Sequence, residues 1–562
     1  MNLLGRGNNP KFWSEEVRFD ERYAFMRENL LNKWNKYKNE PIEELKYTDF
    51  IMFGTTGNRV IFEAPYFRRR DRLMDAAILC LIYPEEQEYL DYLHNLIFAI
   101  CNEFTWTLPA HQPDILTNTD NTFIDLFDCE TGGELSEIYA LLEDRLDPLV
   151  KNRIKLEVKN RVVDPYLKAV ATNPRFPWWR GGYTGNWVAV CTANIATSIF
   201  HLYPECYTEA VAQDFERILG NFLSGFSDNG FCDEGPGYWG YGFGFFVVFA
   251  DLYRKFTEGK INYFDDPKVK KIATYLQKMY LTENCVVSFS DAGKSCNYDL
   301  GLLHFLKATY PDDVKVYSPK YGNMGGKIFA FRTFIWFDKD LYDNPDSDKE
   351  PYELYDEGYQ WLIKKGENYS FAAKAGHNAE HHSHNDVGTF IFAKCGKQLI
   401  SDLGSGVYTK EYGSPVNKYA NNECSSSRHN LPIFDEFFQR DGAAFKSTDV
   451  SYEPGKFSMD IAGAYGLENL KCAKRVFTFD DEQVKVSDSF CYDGKITERL
   501  ILLVKPSLEK DGTVTAEGLE ITYDSGKCKV SVSEHTTSKN ETYYMLDFAL
   551  NESVKDFEIY IK

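Results

Sequence analysis

Two periodicities divide the chain. Through about the first 325 residues, apolar positions recur every third and fourth residue. RLMDAAILCLIY (72–83) and EYLDYLHNLIFAICNEF (88–104) show it first. The segments 136–170, 187–203, 209–226, 242–256 and 268–281 repeat it. This spacing predicts amphipathic helices. Turn-rich linkers, TNPRFPWWRGGYTGN (172–186) and SDNGFCDEGPGYWGYG (227–242), separate them. Serial helical hairpins of this kind predict an α/α toroid or a long bundle, with the long loops gathered at one end. Beyond residue 325 the period changes to two. KIFAFRTFIWF (327–337), SFAAKAG (370–376), TFIFAKCGKQLISD (389–402), and the segments 473–492, 499–509 and 529–537 alternate apolar and polar residues between Gly, Asp and Asn turns. They predict antiparallel strands forming two packed sheets. The boundary is expected in SPKYGNMGG (318–326), giving domains of 1–325 and 326–562.

Composition sharpens this picture at a few points. At 562 residues the chain exceeds one hydrophobic core, in keeping with two domains. Its 37 Tyr, 42 Phe and 9 Trp suit a protein that stacks on sugar rings, and equally a large core. A formal charge of −21 argues against nucleic acid and other polyanions as general partners. An acidic substrate then needs a local basic patch, such as YFRRRDR (66–72) with Arg68, or that segment is a solvated helix start. The 13 cysteines are scattered without a CxxC pair, which predicts reduced, buried thiols. No apolar run is long enough to span a membrane. The opening MNLLGRGNNPKFW lacks the pattern of a secretory signal. The expectation is a cytoplasmic protein, or a periplasmic or secreted one whose leader has been removed.

Half of the ten histidines lie close together, at His377, His381, His382, His384 and His429. His382 and His384, two apart, would face the same way on an extended segment. His384, Asp402 and His429 make two imidazoles and a carboxylate, a donor set that suits Zn²⁺. A metal-free His/Asp network and solvated loop histidines are the alternatives. In DEGPGYWGYGFGFF (233–246), Tyr238 and Tyr241 stand three apart at a helix entry, as acid–base groups or packing aromatics. Asn186, before a helix in GGYTGNWVAVC, can donate to an anion or simply cap the helix. Trp106 and His111 sit in FTWTLPAHQPD, where the indole is a sugar platform or a buried anchor.

Taken together, NW-x-A-V-C, DEGP-x-YW-x-YG, TW-x-LPAH and H-x-H-x-D…SDLGSG…SSRHN resemble the heparinase II/III-type polysaccharide lyases, in order and spacing over nearly the whole chain. The resemblance implies an α+β multidomain fold, an incomplete (α/α) toroid followed by an antiparallel β-sandwich that opens near FAFRTFIWF. It implies β-elimination on a uronic-acid-containing glycosaminoglycan (heparin or heparan sulfate, chondroitin sulfate, or hyaluronan). Asn186 and His382 would neutralise the uronate carboxylate. Tyr238 would transfer the proton, with Tyr241 as the fallback. Tyr408 and Tyr419 would act as a second tyrosine or hold the chain end. Trp106, His111, Arg68, Trp187, Glu234 and Trp239 would contact substrate. His384, Asp402 and His429 would bind a structural divalent metal, Zn first, with Mn or Ca as alternatives. Many relatives carry a second Asn or a His beside Asn186, whereas Gly185 and Trp187 flank it here.

Two other functions compete. A glycoside hydrolase on an α/α toroid needs two carboxylates flanking the bond, but Asp233 and Glu234 are adjacent and would diverge. A non-catalytic carbohydrate-binding protein would keep the aromatics and lose the tyrosine or the histidine.

Overall fold

The structure, a computed structural model, describes residues 2–112, 123–172, 182–327, 329–347, 350–409, 412, 418–419 and 423–562. Of the linker 172–186, residues 173–181 lie outside this set, as do residues 113–114 of FTWTLPAHQPD. The chain forms two compact units that interleave in sequence. The first comprises Met1–Gly225, Gly240–Lys270 and Tyr298–Pro345; the second comprises Phe226–Trp239, Lys271–Asn297 and Asp346–Lys562.

The first unit is the helical toroid. Its helices include Val60–Ile82, Gln87–Cys101, Leu126–Leu142, Asn186–Leu202 and Glu209–Ser224, close to the three- and four-residue periodicities. The expected helix over 136–170 is broken. Leu126–Leu142 ends, and Asp147 then caps a new helix, Pro148–Val158, by accepting from the Leu149 N–H. Proline fits the first turn of a helix but not its interior, which explains the break. The strand expected over 327–337 is also corrected, since Phe329–Trp336 is a helix. Its residues Phe329 through Ile335 are all buried, so no polar face marks the period. Arg332 at its centre forms a buried ion pair with Glu137, 2.6 Å between Nη2 and Oε1.

The second unit is an antiparallel sandwich. Among the described residues one sheet has nine strands. Eight run in the order Cys528–Thr536, Thr542–Leu550, Ile496–Leu502, Lys397–Ile400, Phe390–Lys394, Ser370–Lys374, Trp361–Lys365, Tyr352–Asp356, and Pro432–Phe434 pairs beside Ile496–Leu502. The other has eight strands, with Cys472–Phe479, Val484–Cys491 and Asp556–Ile561 at its middle. Side chains from both sheets, among them Phe371, Phe390, Phe392, Phe477, Val486 and Phe548, share one core. Along Cys472–Phe479, alternate residues Ala473, Arg475, Phe477 and Phe479 point inward. The inward Arg475 is paired with Asp488 at 2.8 Å and Glu498 at 2.9 Å, which compensates its burial. The hairpin register sets Cys472 opposite Cys491, and the two form a disulfide. That corrects the expectation of reduced thiols throughout. The pairing depends on strand register, which cysteine spacing alone does not reveal.

Candidate active site

Glycines fix the backbone of the second unit's site. Gly235 has φ +92°, and a Cβ there would stand 2.7 Å from the Cβ of Ala292. Gly404, at φ +67°, closes on the same residue, and a Cβ would overlap the Ala292 carbonyl oxygen. Only glycine serves at either place. Ala292 is thus pressed between two loops, and its neighbour Asp291 points into the interior with its side chain 1 % exposed.

Four donors converge on Asp291. Its Oδ2 accepts from Tyr408 Oη at 2.7 Å and lies 2.8 Å from His382 Nδ1. Its Oδ1 lies 3.1 Å from His384 Nε2 and accepts from the Tyr412 hydroxyl. Burial alone would raise this carboxyl, but the bonds from His382 and His384 hold it well below its usual range. The sequence reading missed Asp291. A single aspartate in SFSDAGKS, more than ninety residues before its histidines, carries no local signal.

Tyr238 stands in the first turn of the helix Pro236–Phe256. Its hydroxyl is 2.9 Å from that of Tyr408, and its ring stacks on His382 with centroids 4.2 Å apart. Tyr408 gives its one proton to Asp291, so at the tyrosine pair Tyr238 is the donor. Burial, then the charge of Asp291, push the Tyr408 phenol far above its ordinary range. His382 has φ +56°, a left-handed conformation uncommon outside glycine. The expected extended segment is therefore corrected: residues 379–382 form a turn. His382 and His384 nevertheless reach the same carboxylate. Glu234 is buried, with Oε1 3.9 Å from His382 Nε2. Its neighbour Asp233 turns to His381, accepting the backbone N–H and meeting Nδ1, each at 3.0 Å. Tyr419 Oη donates to the Ser383 carbonyl at 3.3 Å.

Behind this group lie His384, Asp402 and His429, all fully buried. Asp402 follows the strand Lys397–Ile400, and His429 follows the short turn Ser426–Arg428 in extended conformation. His429 Nδ1 is 3.1 Å from Asp402 Oδ2, and His384 Nδ1 is 4.0 Å from Asp402 Oδ1. One donor atom from each residue falls within 4.8 Å of the others. His384 Nδ1, both ring nitrogens of His429 and Asp402 Oδ2 make no well-aligned hydrogen bond, the 3.1 Å approach of His429 Nδ1 to Asp402 Oδ2 included. Buried polar atoms without partners are costly, and a bound cation would satisfy them together. The residues therefore fit a metal. Burial works against charge on His384, yet Cys424 and Asp291 hold its pKa well above the usual range, so a metal at Nδ1 would have to displace a proton there.

In the first unit, His111 Nδ1 meets the buried Asp125 at 2.7 Å, and its ring lies against Phe127 and Trp187 at 5.5 and 4.8 Å. Asn186 is buried as the first residue of Asn186–Leu202, where Gly185, not Asn186, holds the cap position. A Cβ on Gly242 would come within 2.9 Å of the Asn186 Cβ, so the bare backbone at 242 lets the two helices close. Tyr241 donates to Glu130, which pairs with Lys327 at 2.6 Å. Burial and the Glu130 charge raise its pKa strongly.

Two expected substrate contacts and the basic-patch reading are corrected. Trp106 is fully buried and gives its Nε1–H to the Ile100 carbonyl at 2.9 Å, so it is an anchor and not a platform. Trp239 is buried too, bonded to the Ile272 carbonyl at 2.9 Å. The segment 66–72 is neither a basic patch nor a solvated helix start. It lies within Val60–Ile82, where Arg69 and Arg70 are buried on Glu103 at 2.8 and 2.7 Å, and exposed Arg68 is engaged by Glu43 at 3.0 Å.

No family model matches this sequence, and no curated protein does. Solved structures do match. A heparinase III shares 12% identity over 99% of this chain and 92% of its own, with a TM-score of 0.61. A heparan sulfate lyase from Pedobacter heparinus shares 13% over 98% and 90%, at 0.58. A chondroitin AC lyase from Streptomyces coelicolor A3, solved with chondroitin sulphate, shares 10% over 100% and 82%, at 0.58. The chain has the fold of these polysaccharide lyases, a helical toroid with a β-sandwich.

Proposed function

We propose that the chain is a polysaccharide lyase that cleaves a uronic-acid-containing glycosaminoglycan by β-elimination. The observation that carries this reading is the contact set of Tyr238, which stacks on His382 and meets Tyr408 held by Asp291. His382 donates to the uronate carboxylate, so that negative charge can build there as the C5 proton leaves. Preorganised donors of this type contribute about 10²–10³ in rate. Tyr238, as phenolate, takes the C5 proton. The C–H electron pair becomes the C4–C5 double bond, the C4–O bond breaks, and the departing oxygen takes the proton back from Tyr238. Tyr408 stays a neutral phenol, because burial and Asp291 oppose its ionisation, and its one proton stays on the bond to Asp291.

His384, Asp402 and His429 would hold the metal, which when bound cross-links three loops and keeps this wall of the site in shape. Two imidazoles and one carboxylate favour zinc over calcium, which takes oxygen ligands. Elemental analysis of the purified protein tests that choice.

The reading is tested on heparan sulfate, chondroitin sulfate, hyaluronan and alginate. A new ultraviolet absorbance on one of the glycosaminoglycans supports it. New reducing ends without absorbance would favour a hydrolase. Binding without turnover would favour a carbohydrate-binding protein.

A further inference from the structure

We propose that Asp291 is a positioning residue that sets two sites at once: it presents His384 Nδ1 to the metal group and holds His382 and Tyr408 against Tyr238. The catalytic half rests on the lyase reading above; the metal half does not.

The geometry divides the carboxylate cleanly. Oδ1 serves His384 Nε2 at 3.1 Å and the Tyr412 hydroxyl, while Oδ2 serves His382 Nδ1 at 2.8 Å and Tyr408 at 2.7 Å. An ionised carboxylate only accepts hydrogen bonds, so both ring nitrogens facing it carry hydrogen. For His384 this decides which nitrogen keeps its lone pair. Nε2 is spent on Asp291, and Nδ1 is left buried and unpartnered on the side of Asp402. A histidine with the opposite tautomer would aim an N–H at that group and could not ligate. On the other oxygen, the bond to His382 Nδ1 turns Nε2 toward Glu234 Oε1, 3.9 Å away, at the far end of a half-buried ring, and the bond to Tyr408 fixes the hydroxyl that Tyr238 meets. Carboxylates that orient ligating histidines typically contribute about 10–100-fold in metal affinity.

An amide cannot replace this group. Whichever way Asn is turned at 291, its NH2 faces one pair of donors, so one of the two sites loses its acceptor. Alanine removes both.

The test strips the full-length protein with a chelator and titrates it with zinc against a chromogenic competitor. Visible absorption of the cobalt-loaded forms is recorded beside it. Asp291→Ala is expected to bind zinc about 10–100-fold more weakly, with a changed cobalt spectrum and unchanged near-ultraviolet circular dichroism of the metal-free protein. Zinc affinity within about twofold of the parent would overturn the proposal, as would a parent that binds no zinc. If the alanine variant does not fold, Asp291→Asn decides. It must lose either zinc affinity or turnover number, by about tenfold or more, and retention of both overturns the proposal. A parent that binds zinc but cleaves no polymer contradicts the lyase reading alone, and the zinc titration of the variants still judges Asp291.

Discussion

Two groups of buried polar atoms meet at His384, and they are satisfied in opposite ways. Around Asp291 both carboxylate oxygens are used, by two histidines and two tyrosines. Around Asp402 the ring nitrogens of His429, one of His384 and a carboxylate oxygen have no partner. The first group is held by hydrogen bonds of the chain itself. The second could be satisfied by a metal ion. On the proposed reading, the contrast separates residues that move protons from residues that support them, although both are histidines and carboxylates a few ångströms apart.

The comparison breaks most readily at Tyr238. Tyr238→Phe keeps the ring on His382 and removes the hydroxyl, so turnover should fall about 10²–10⁴-fold with the melting temperature retained. Full activity would remove Tyr238 from the chemistry. Trp106→Ala should do the reverse. Deleting this buried anchor costs about 3–5 kcal/mol by urea unfolding, while the KM of the molecules that remain folded stays near the parent value. A raised KM at unchanged stability would restore Trp106 as a sugar platform. The unpartnered group predicts a smaller, ligand-dependent effect. Zinc at about 100 times its Kd should stabilise chelator-stripped protein by about 2.7 kcal/mol, and His429→Ala should abolish that gain. Equal stabilisation of the variant would place the metal elsewhere.

The smallest effect concerns pH. Burial pushes the Glu380 carboxyl up from 4.5 to about 7, against the pull of Lys374. The folded state thus keeps a proton that the unfolded chain has already released. Its contribution to stability is present below the ordinary carboxylate pKa and is lost as pH rises toward about 7. Glu380→Gln should flatten the stability profile in that window. An unchanged slope would show that Glu380 does not titrate there.

Much of this was legible in the sequence. Helical periodicity located the toroid, and alternation located β structure over segments such as 389–402, where the strands Phe390–Lys394 and Lys397–Ile400 lie. The imidazole–carboxylate set of the metal group and the tyrosine of the helix entry stood out as motifs. What stayed hidden depends on distant pairing. Asp291 reaches its histidines through the close approach of Gly235 and Gly404 to Ala292, which no short window shows. The helix Phe329–Trp336 reads as a strand because it is buried nearly all round. A loop position leaves Trp106 readable as a platform or an anchor, and only the structure shows its indole bonded to the end of the preceding helix.

The most direct test weighs the products. A defined tetrasaccharide from whichever polymer is cleaved is digested and analysed by mass spectrometry. Elimination requires the two product masses to sum to the mass of the substrate, with one product carrying the unsaturated uronate. A sum larger by one water would contradict the account and make the chain a hydrolase.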